Sequence, residues 1–349
     1  MDNAAHGLLG KTLKSGWTVI KKIEKEDNQT GSFFSVCYLV EKEEEICFMK
    51  AFDFAKFLSI SVEEDKSMMD VMNDMTTAYK YERDLSKHCQ DHHVTKVAFV
   101  KEASEEIVPG YSITIVPYLV FDLAEGDVRK TMAYSHKVNL SWKLKSLHDV
   151  AVGLMQLHKI EVSHQDLKPS NILVYKEVCK IGDLGRSMCQ AMEGPYNNRI
   201  FTGDWTYAPP ELMYRYHEKD WKSRVFATDC YLLGSLISFY FSGLPMTALI
   251  RNHLPDKFSW EKWKGKFEEI EPYLQNAFED AIKELSENIE SKELKSELTK
   301  LVKYLCNPFP KKRGHPINLN QNSSNFGLER FVTRLDYLKR KSEINLFKI

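Results

Sequence analysis

The stretch "SHQDLKPSNILV", residues 163–174, places a histidine, a carboxylate, a lysine and an amide along one turn that leads into an apolar run. Asp166 is a candidate base, and Lys168 can reach a phosphate group that is being transferred. Asn171 offers a neutral oxygen to a hard metal ion. Phosphoryl transfer needs a carboxylate that orients the acceptor hydroxyl, cations for the phosphate oxygens and ligands for Mg²⁺. The alternative is an ordinary proline-containing turn with the same residues and no catalytic function.

A second candidate ligand for a hard metal ion follows in "IGDLG", residues 181–185. Asp183 comes directly after the short predicted strand "VCKI". The neighbouring glycines let the backbone and a metal ion approach closely. This second oxygen ligand at the end of a strand favours a phosphoryl-transfer site over a chance arrangement of residues.

The turn resembles the H-R-D-L-x-x-x-N catalytic loop of eukaryotic-type protein kinases, and "GDLG" resembles their D-F-G metal motif, with Leu184 in place of phenylalanine. Over about residues 11–316 the other motifs occur in the family's order: "CFMK" at 47–50 is similar to V-A-I-K, and "YAPPE" at 207–211 resembles A-P-E. The form with Gln165 looks like the eukaryotic-type kinases of bacteria. The resemblance implies ATP and Mg²⁺ as cofactors and a protein substrate.

The resemblance assigns roles to charged residues around the phosphates. Lys50 contacts the phosphates, and Glu82 in "YKYERDL" is the helix carboxylate that holds it. Asp84 fits this role less well, because Leu85 suits the apolar face of the helix better when Glu82 points inward. Lys168, two residues after Asp166, favours Ser and Thr hydroxyls as acceptors. The implied catalytic residues are Asp166, Lys168, Asn171, Lys50 and Glu82, and the implied metal ligands are Asn171 and Asp183.

The resemblance also implies a nucleotide site between the two lobes of a kinase fold. The strand "YLVFDLA" resembles the hinge, with Phe121 in the gate position and the backbone of 122–124 facing adenine. Asp127 is placed to meet the ribose, and Leu173 is expected to pack beneath the base. The implied nucleotide contacts are Gly31, Val36, Lys50, Asp122, Ala124, Asp127, Leu173 and Asp183.

The sequence departs from the family pattern mainly around the nucleotide. In the phosphate-covering loop "QTGSFFSV", Gln29 and Phe34 stand at two glycine positions, and Gly31 and Val36 are kept. Phe48 stands where the family usually places alanine against adenine. A phenyl ring there requires a shifted adenine or a widened pocket.

Two further departures concern regulation. Gln165 replaces the arginine that pairs with a phosphorylated activation segment in many kinases, and glutamine cannot neutralise a phosphate. Activity is therefore expected not to depend on that switch, although Ser187, Thr202 and Thr206 leave other phosphorylation open. Asp204 stands where Ser/Thr kinases often have threonine.

The carboxylates of Asp204 and Asp166 are expected to approach each other. This approach would raise the pKa of one of them or require Lys168 between them. The resemblance also implies two structural assignments. Asp229, followed by Gly234, pins the backbone of the catalytic loop, and Arg313 pairs with Glu211. Loss of either contact is expected to cost stability.

The predicted elements that position these residues form an α+β, two-lobed fold. Short alternating runs over 17–52 predict a three-strand antiparallel meander, and 96–103 and 112–123 predict two more strands. The helical pattern from Phe54 to about His88 includes an inserted acidic segment at about 55–75, because the spacing from Lys50 to Glu82 is long for the family.

The second lobe is predicted to be mainly helical. A helix with one buried face covers 141–160, and the apolar run near 226–243 is best explained as a buried helix rather than a membrane span. The predicted domains are an N-lobe at 1–124, a C-lobe at 125–325 and a C-terminal helical tail at 326–349.

Composition limits the function further. The chain has 349 residues, 43% hydrophobic and 28% charged, and a formal net charge of −1, which argues against nucleic-acid or membrane partners. Seven scattered cysteines without a C-x-x-C pair argue against disulfides or structural zinc. The N-terminus lacks a basic start and apolar core, so a cytoplasmic location is expected.

Three functional hypotheses remain after the sequence is considered. The first is an ATP- and Mg²⁺-dependent Ser/Thr protein kinase. The second is a pseudokinase scaffold, motivated by Gln29, Phe34 and Phe48. The third is a small-molecule kinase of related fold, although such enzymes usually lack a lysine at the place of Lys168. The sequence indicates neither the protein substrate nor the oligomeric state.

Overall fold

The computed structural model describes residues 3–24, 34–61, 67–134, 138–320 and 325–347. The predicted α+β architecture is confirmed: an antiparallel sheet comes first and a mainly helical part follows. The sheet has five strands in the order β1-β2-β3-β5-β4. These strands are β1 (Thr18–Ile23), β2 (Ser35–Lys42), β3 (Glu45–Phe52), β4 (Val100–Ile107) and β5 (Ile115–Asp122).

Two helices follow β3, in the stretch where the sequence predicts helix and an insertion. Helix α1 spans Phe54–Ser61 and α2 spans Met68–Asp91. The side chain of Ser67 accepts a hydrogen bond from Asp70 N and caps α2. One face of α2 packs on the sheet through Met75 and Tyr79. This packing fixes α2 against the sheet and so positions the side chain of Glu82 toward it.

The other face of the sheet is covered by the N-terminal segment, residues 3–13, for which the sequence predicts no structure. Leu8 and Leu13 are buried there against strand residues such as Tyr38. The hydroxyl of Tyr38 donates a 2.7 Å hydrogen bond to Ala5 O. The sheet is therefore buried on both faces in this region.

The first part of the C-lobe combines two helices with short strands. Helix α4 begins one residue before its predicted start, and a buried face of leucine and valine packs it into the core. The bounds are β6 (Gly126–Asp127), α3 (Val128–Tyr134), α4 (Leu140–Lys159), β7 (Val162–Ser163), β8 (Ile172–Tyr175), β9 (Val178–Ile181) and β10 (Met188–Cys189).

The remaining elements are helices: α5 (Pro210–Met213), α6 (Trp221–Ser242), α7 (Met246–His253), α8 (Phe267–Glu287), α9 (Lys292–Leu305), α10 (Pro316–Asn320) and α11 (Glu329–Glu343). Helix α6 is long and apolar enough to cross a membrane by length and composition alone. However, 83% of its most apolar stretch is buried inside the protein, as the sequence predicts for this helix.

Helix α11, in the predicted C-terminal tail, packs along α4. Its residues Phe331, Leu335 and Leu338 are fully buried in the core of the C-lobe. The guanidinium of Arg334 lies 2.6 Å from a carboxylate oxygen of Glu297 on α9. The helix is thus fixed to the C-lobe by both apolar packing and charge.

A buried ion pair ties α5 to the loop before α10. Both carboxylate oxygens of Glu211 accept 2.8 Å hydrogen bonds from the guanidinium of Arg313. Arg313 is completely buried and also donates to the carbonyl of Ala227 on α6. The predicted contact between Arg313 and Glu211 is therefore present.

Candidate active site

The turn at residues 164–171 lies between β7 and β8, and α6 holds its backbone. The carboxylate of Asp229 accepts hydrogen bonds from His164 N at 2.9 Å and from Gln165 N at 2.8 Å. It also accepts from the Ser163 hydroxyl and contacts His158 Nε2. Four groups therefore converge on one fully buried carboxylate, which fixes the turn as predicted for Asp229.

The sequence singled out neither Ser163 nor His158 as site residues. Their side chains contact Asp229 from β7 and from the end of α4. The ring of His158 also stacks on Phe226, with the centroids 4.1 Å apart. No local pattern marks these contacts, because the partners come from distant parts of the chain. They are positioning contacts beneath the turn.

Asp166 is held by the residues around it. Asn171 Nδ2 donates to Asp166 Oδ2 at 3.0 Å and to its backbone carbonyl at 2.7 Å. The backbone N–H of Asp204 donates to Asp166 Oδ1 at 2.8 Å. Asp166 is only 4% exposed, so its two oxygens have fixed directions.

Lys168 lies between the carboxylates of Asp166 and Asp204. Its Nζ is 3.3 Å from Asp166 Oδ2 and 3.2 Å from Asp204 Oδ2. Burial alone would raise the pKa of Asp204, but hydrogen bonds from Thr206 and the charge of Lys168 lower it below its usual value. Of the two arrangements that the sequence allows, the structure has the lysine between the two acids.

Gly203 brings the activation segment close to the turn. A Cβ at this position would lie 2.1 Å from the carbonyl oxygen of Gln165, which is closer than any real contact. Only glycine therefore fits here. Because the chain comes this close to the turn at Gly203, the backbone N–H of the next residue, Asp204, can reach Asp166.

The second cluster of charges lies on the N-lobe side. Lys50 Nζ on β3 contacts the two carboxylate oxygens of Glu82 on α2 at 3.0 and 2.9 Å. It also lies 3.2 Å from Asp183 Oδ1, which follows β9. Asp84 pairs with its neighbour Arg83 instead. Residues from three separate elements thus meet at one ammonium group.

Charge and burial set the protonation of this cluster. Burial opposes the charge of Lys50, but Asp183 and Glu82 raise its pKa above the usual value. Lys50 in turn lowers the pKa of Asp183 to about 2, against the effect of burial. Lys50 is therefore a cation and Asp183 an anion at neutral pH.

The two clusters are joined by His164. Its Nε2 lies 2.9 Å from the carbonyl oxygen of Gly182, which precedes Asp183. Asp183 itself has a left-handed backbone, with φ of 58°. Gly185 packs so closely on Glu82 that an added Cβ would lie 2.9 Å from its Oε2. The acidic turn after β9 therefore has little freedom relative to either lobe.

The side chain of Gln165 points into the C-lobe and not toward the activation segment. It is fully buried, and its Nε2 donates to Ser163 Oγ at 2.7 Å and to Val225 O at 3.0 Å. Within the activation segment, Arg186 Nη1 donates to Thr202 O at 3.1 Å. The sequence did not single out Arg186.

The donor set suits Mg²⁺. The amide nitrogen of Asn171 is used by Asp166, which leaves the Asn171 Oδ1 as an oxygen ligand. Asp183 is ionised, and its side chain is 33% exposed on the cleft side of the contact with Lys50. An amide oxygen and a carboxylate are hard ligands of the kind that Mg²⁺ prefers.

The prediction that Val36 contacts the nucleotide is wrong. Val36 is buried in the cluster beneath the N-terminal segment, on the sheet face opposite Lys50. Directly opposite residues of antiparallel strands share a face, and Lys50 is opposite Cys37 while Phe48 is opposite Leu39. The β2 residues on the face of Lys50 are therefore Cys37 and Leu39. Gly31 lies outside the described residues.

Aromatic rings line the nucleotide side of the cleft. Phe48 is opposite Phe121 in the β3/β5 pair, and their centroids are 6.2 Å apart. Phe34 packs edge-on against Phe57 of α1, at 4.5 Å. Both rings of the first pair are half-buried. Phe48 thus stands beside the predicted gate residue, at the position where the resemblance places an alanine against adenine.

The predicted hinge residues lie where β5 ends at Asp122 and leads to β6. Asp127 is opposite Leu173 in the β6/β8 pair, and its carboxylate caps α3 by accepting from Lys130 N. The carbonyl of Asp122 accepts a long hydrogen bond from Tyr175, and Ala124 is half-buried. The roles of Asp122, Ala124, Asp127 and Leu173 as nucleotide contacts stay predictions.

Comparison with known proteins gives a consistent result. A family model described as "Protein kinase domain" matches residues 30–323. The chain is 30% identical over 131 residues to Aurora/IPL1-related protein kinase 2 of Caenorhabditis elegans, which is 37% of this chain and 40% of that protein. It is 41% identical over 71 residues to Serine/threonine-protein kinase mos of Atheris nitschei, which is 19% of this chain and 36% of that protein.

A third match is Serine/threonine-protein kinase PTK2 of Candida glabrata, which is 28% identical over 193 residues. This match covers 50% of the chain and 22% of that protein. The chain thus spans less than half the length of each of these relatives.

Proposed function

This chain belongs to the protein kinase domain family, and from that premise we propose that it transfers the γ-phosphoryl group of ATP to Ser or Thr hydroxyl groups of protein substrates. Protein kinases in general use ATP and Mg²⁺. Two of the relatives described above are named serine/threonine kinases. Lys168, two residues after Asp166, supports the same acceptor class.

One observation carries the proposal: both charge clusters that the reaction needs are assembled at the same cleft. Asp166 is fixed by three hydrogen bonds from Asn171 and Asp204, and Lys50 is held by Glu82 beside Asp183. A pseudokinase scaffold that only bound partners would not need these two charge clusters. Its retention favours catalysis.

Each residue has a distinct role in the proposal. Asp166 accepts a hydrogen bond from the acceptor hydroxyl, orients it and takes its proton as the new P–O bond forms, while the bond from the γ-phosphorus to the bridging oxygen breaks and ADP leaves. Lys168 lies 3.3 Å from Asp166 and offers positive charge to the transferred group. Lys50 holds the nucleotide phosphates, and Glu82 orients Lys50. Asn171 and Asp183 would hold Mg²⁺, which when bound neutralises phosphate oxygens.

We extend the proposal to regulation: activity does not require a phosphate on the activation segment. Gln165 is turned into the C-lobe and carries no charge. The Asp204 carboxylate already accepts from Lys168, and the backbone N–H of Asp204 donates to the Asp166 carboxylate. The contacts that other kinases gain by phosphorylation are thus supported here by fixed residues.

The proposed setting is a reducing, cytoplasmic compartment without nucleic-acid or membrane partners. All seven cysteines are free and buried, which fits a protein kept reduced. The net charge of −1 provides no general attraction for nucleic acid or anionic lipid.

A pseudokinase scaffold is the second candidate, because Phe48 and Phe121 fill part of the space that adenine needs. The two functions are separated by incubating the protein with γ-labelled ATP, Mg²⁺ and a generic Ser/Thr protein substrate. Wild type is expected to label the substrate or itself on Ser or Thr, and Asp183→Ala is expected to lose this labelling.

The matched control is Asp84→Ala, which removes an exposed carboxylate that pairs with Arg83 outside the cleft. It is expected to retain wild-type labelling. Absence of label in wild type together with nucleotide-independent partner binding would favour the scaffold. Label on a metabolite but on no protein would favour a small-molecule kinase.

A further inference from the structure

A second cavity, of about 280 Å³, lies where the N-lobe and C-lobe meet behind the hinge. Gln90 at the end of α2, Phe99 and Lys101 line it from the N-lobe side. Tyr175 and Lys180 of the β8/β9 hairpin line it from the C-lobe side, and the Asp122 side chain lies between them. Apart from Asp122, whose backbone was assigned to adenine, none of these residues belongs to the proposed active site.

Two uncharged donors at this cavity have only weak partners. The amide nitrogen of Gln90 lies 3.5 Å from Val100 O, and the hydroxyl of Tyr175 lies 3.4 Å from Asp122 O. Both distances are beyond the usual range of hydrogen bonds. Burial raises the pKa of Tyr175 to about 12, and Asp122 adds to this effect. Its hydroxyl therefore keeps its proton and can donate it in a hydrogen bond.

Lys180 provides a half-buried positive charge. Its ammonium lies 5.3 Å from the centroid of the Tyr175 ring. Among the described residues, no carboxylate oxygen lies within 4.0 Å of Lys180 Nζ. A cation near an aromatic ring and without an acidic partner favours the approach of an anion.

The two acidic groups near the cavity share a different lysine, Lys101. Glu45, Cys47 and Asp122 lie close enough together to be considered as metal ligands. Lys101 Nζ contacts Glu45 Oε1 and lies 3.7 Å from Asp122 Oδ1, so an ammonium group occupies this position. Lys101 balances only one of the two carboxylate charges, but neither carboxylate forms an ion pair with Lys180.

We propose that this cavity binds a small molecule that carries an oxyanion, either a carboxylate or a phosphate ester, on a flat apolar body. Gln90, Tyr175 and Lys180 donate to the oxyanion, and Phe99 and Tyr175 contact the flat body. The volume is about that of nine water molecules, enough for a single substituted ring. Because the donors come from both lobes, the bound molecule links them across the hinge.

The test is a calorimetric titration of the full chain at fixed ionic strength with four probes: phenyl phosphate, benzoate, inorganic phosphate and the neutral benzamide. Saturable binding of phenyl phosphate or benzoate is expected, and whichever binds more tightly identifies the oxyanion. Benzamide is expected not to bind, because it has no negative charge for Lys180.

Variants locate the binding. Lys180→Met keeps the apolar stem and is expected to weaken binding about tenfold or more, the usual effect of losing one charged hydrogen bond. Tyr175→Phe is expected to weaken it about threefold. The matched control is Lys145→Met, because Lys145 pairs with Glu177 at 3.4 Å outside the cavity; it is expected to bind as wild type does. Lys50→Met, which alters the nucleotide site, is also expected to retain binding.

Several results would overturn the proposal. These are no saturable binding of phenyl phosphate or benzoate, equal affinity in Lys180→Met and wild type, or equal loss in Lys145→Met. Loss in Lys50→Met alone would place the probe in the nucleotide site. Binding of an acidic peptide that depends on Lys180, without binding of any small probe, would indicate a protein partner. If Lys180→Met does not fold, as judged by circular dichroism, Lys180→Gln replaces it with the same expected loss.

Discussion

On the acceptor side of the cleft, hydrogen bonds and ion pairs hold Asp166, Lys168 and Asn171, and each is at most 6% exposed. On the nucleotide side, Phe48 and Phe121 meet through ring contacts. Hydrogen bonds fix direction, whereas ring packing fixes mainly volume. We therefore expect changes on the acceptor side to reduce the rate of transfer and changes on the nucleotide side to alter ATP affinity.

The largest effect is expected from Asp166→Asn. The amide oxygen can still accept from Asp204 N, but the amide nitrogen then faces the Nδ2 donor of Asn171, and the amide cannot take a proton from the acceptor. Loss of a general base typically costs about 10²- to 10⁴-fold in rate. Steady-state kinetics should show this fall in kcat with a KM for ATP close to wild type. A large rise in KM instead would contradict the separation of the two sides.

Asp229→Asn is expected to destabilise the turn that carries Asp166. Its amide nitrogen would face one of the buried backbone N–H groups of His164 and Gln165, leaving that donor without a partner. Such a loss costs about 1–3 kcal/mol in the free energy of unfolding. Denaturant unfolding measures it. Asp220→Asn, at the exposed N-cap of the same helix, is the matched control and should change stability little.

Phe48→Ala is expected to act on the nucleotide side alone. Removing the phenyl group relieves crowding worth about 1 kcal/mol, so the KM for ATP should fall about fivefold. The value of kcat should stay within about twofold, because no contact of Asp166 changes. Initial rates over a range of ATP concentrations measure both quantities. A higher KM would mean that the ring stacks on adenine and helps to bind it.

The ionisation of Asp183 is expected to make stability depend on pH. Its pKa is lowered to about 2 in the folded protein, below the value of roughly 3.9 in unfolded chains. The resulting stability is present above the unfolded pKa and is lost as the pH falls toward 2. Between about pH 5 and pH 2, wild type should therefore lose more stability than Asp183→Asn. Equal losses would show that Lys50 does not hold this carboxylate.

Most of the acceptor side could be predicted from short-range sequence patterns. Helix α4, the turn after β7 and Asp183 after β9 follow from periodicity and from residue types next to each other in the chain. The pairing of Lys50 with Glu82 followed from the family motif. The contacts of Ser163 and His158 with Asp229 could not be predicted, because the sequence gives no reason to pair these residues.

The nucleotide side was harder to predict for a physical reason. Strand β2 is buried on both faces, with Val36, Cys37 and Tyr38 all buried in succession. Alternation of polar and apolar residues is then lost, and with it the only local sign of which residue faces the cleft. The second face is buried by residues 3–13, whose docking depends on long-range packing. Val36 was assigned to the nucleotide from the family motif, and no local pattern in β2 contradicted that assignment.

The most direct test of the account measures transfer of phosphate from γ-labelled ATP at increasing ATP concentrations, in the presence of Mg²⁺, for wild type, Asp166→Asn and Phe48→Ala. The account predicts saturable transfer by wild type, a fall in kcat without a change in KM for Asp166→Asn, and a fall in KM without a change in kcat for Phe48→Ala. No transfer by wild type, or transfer at an equal rate by Asp166→Asn, would contradict it.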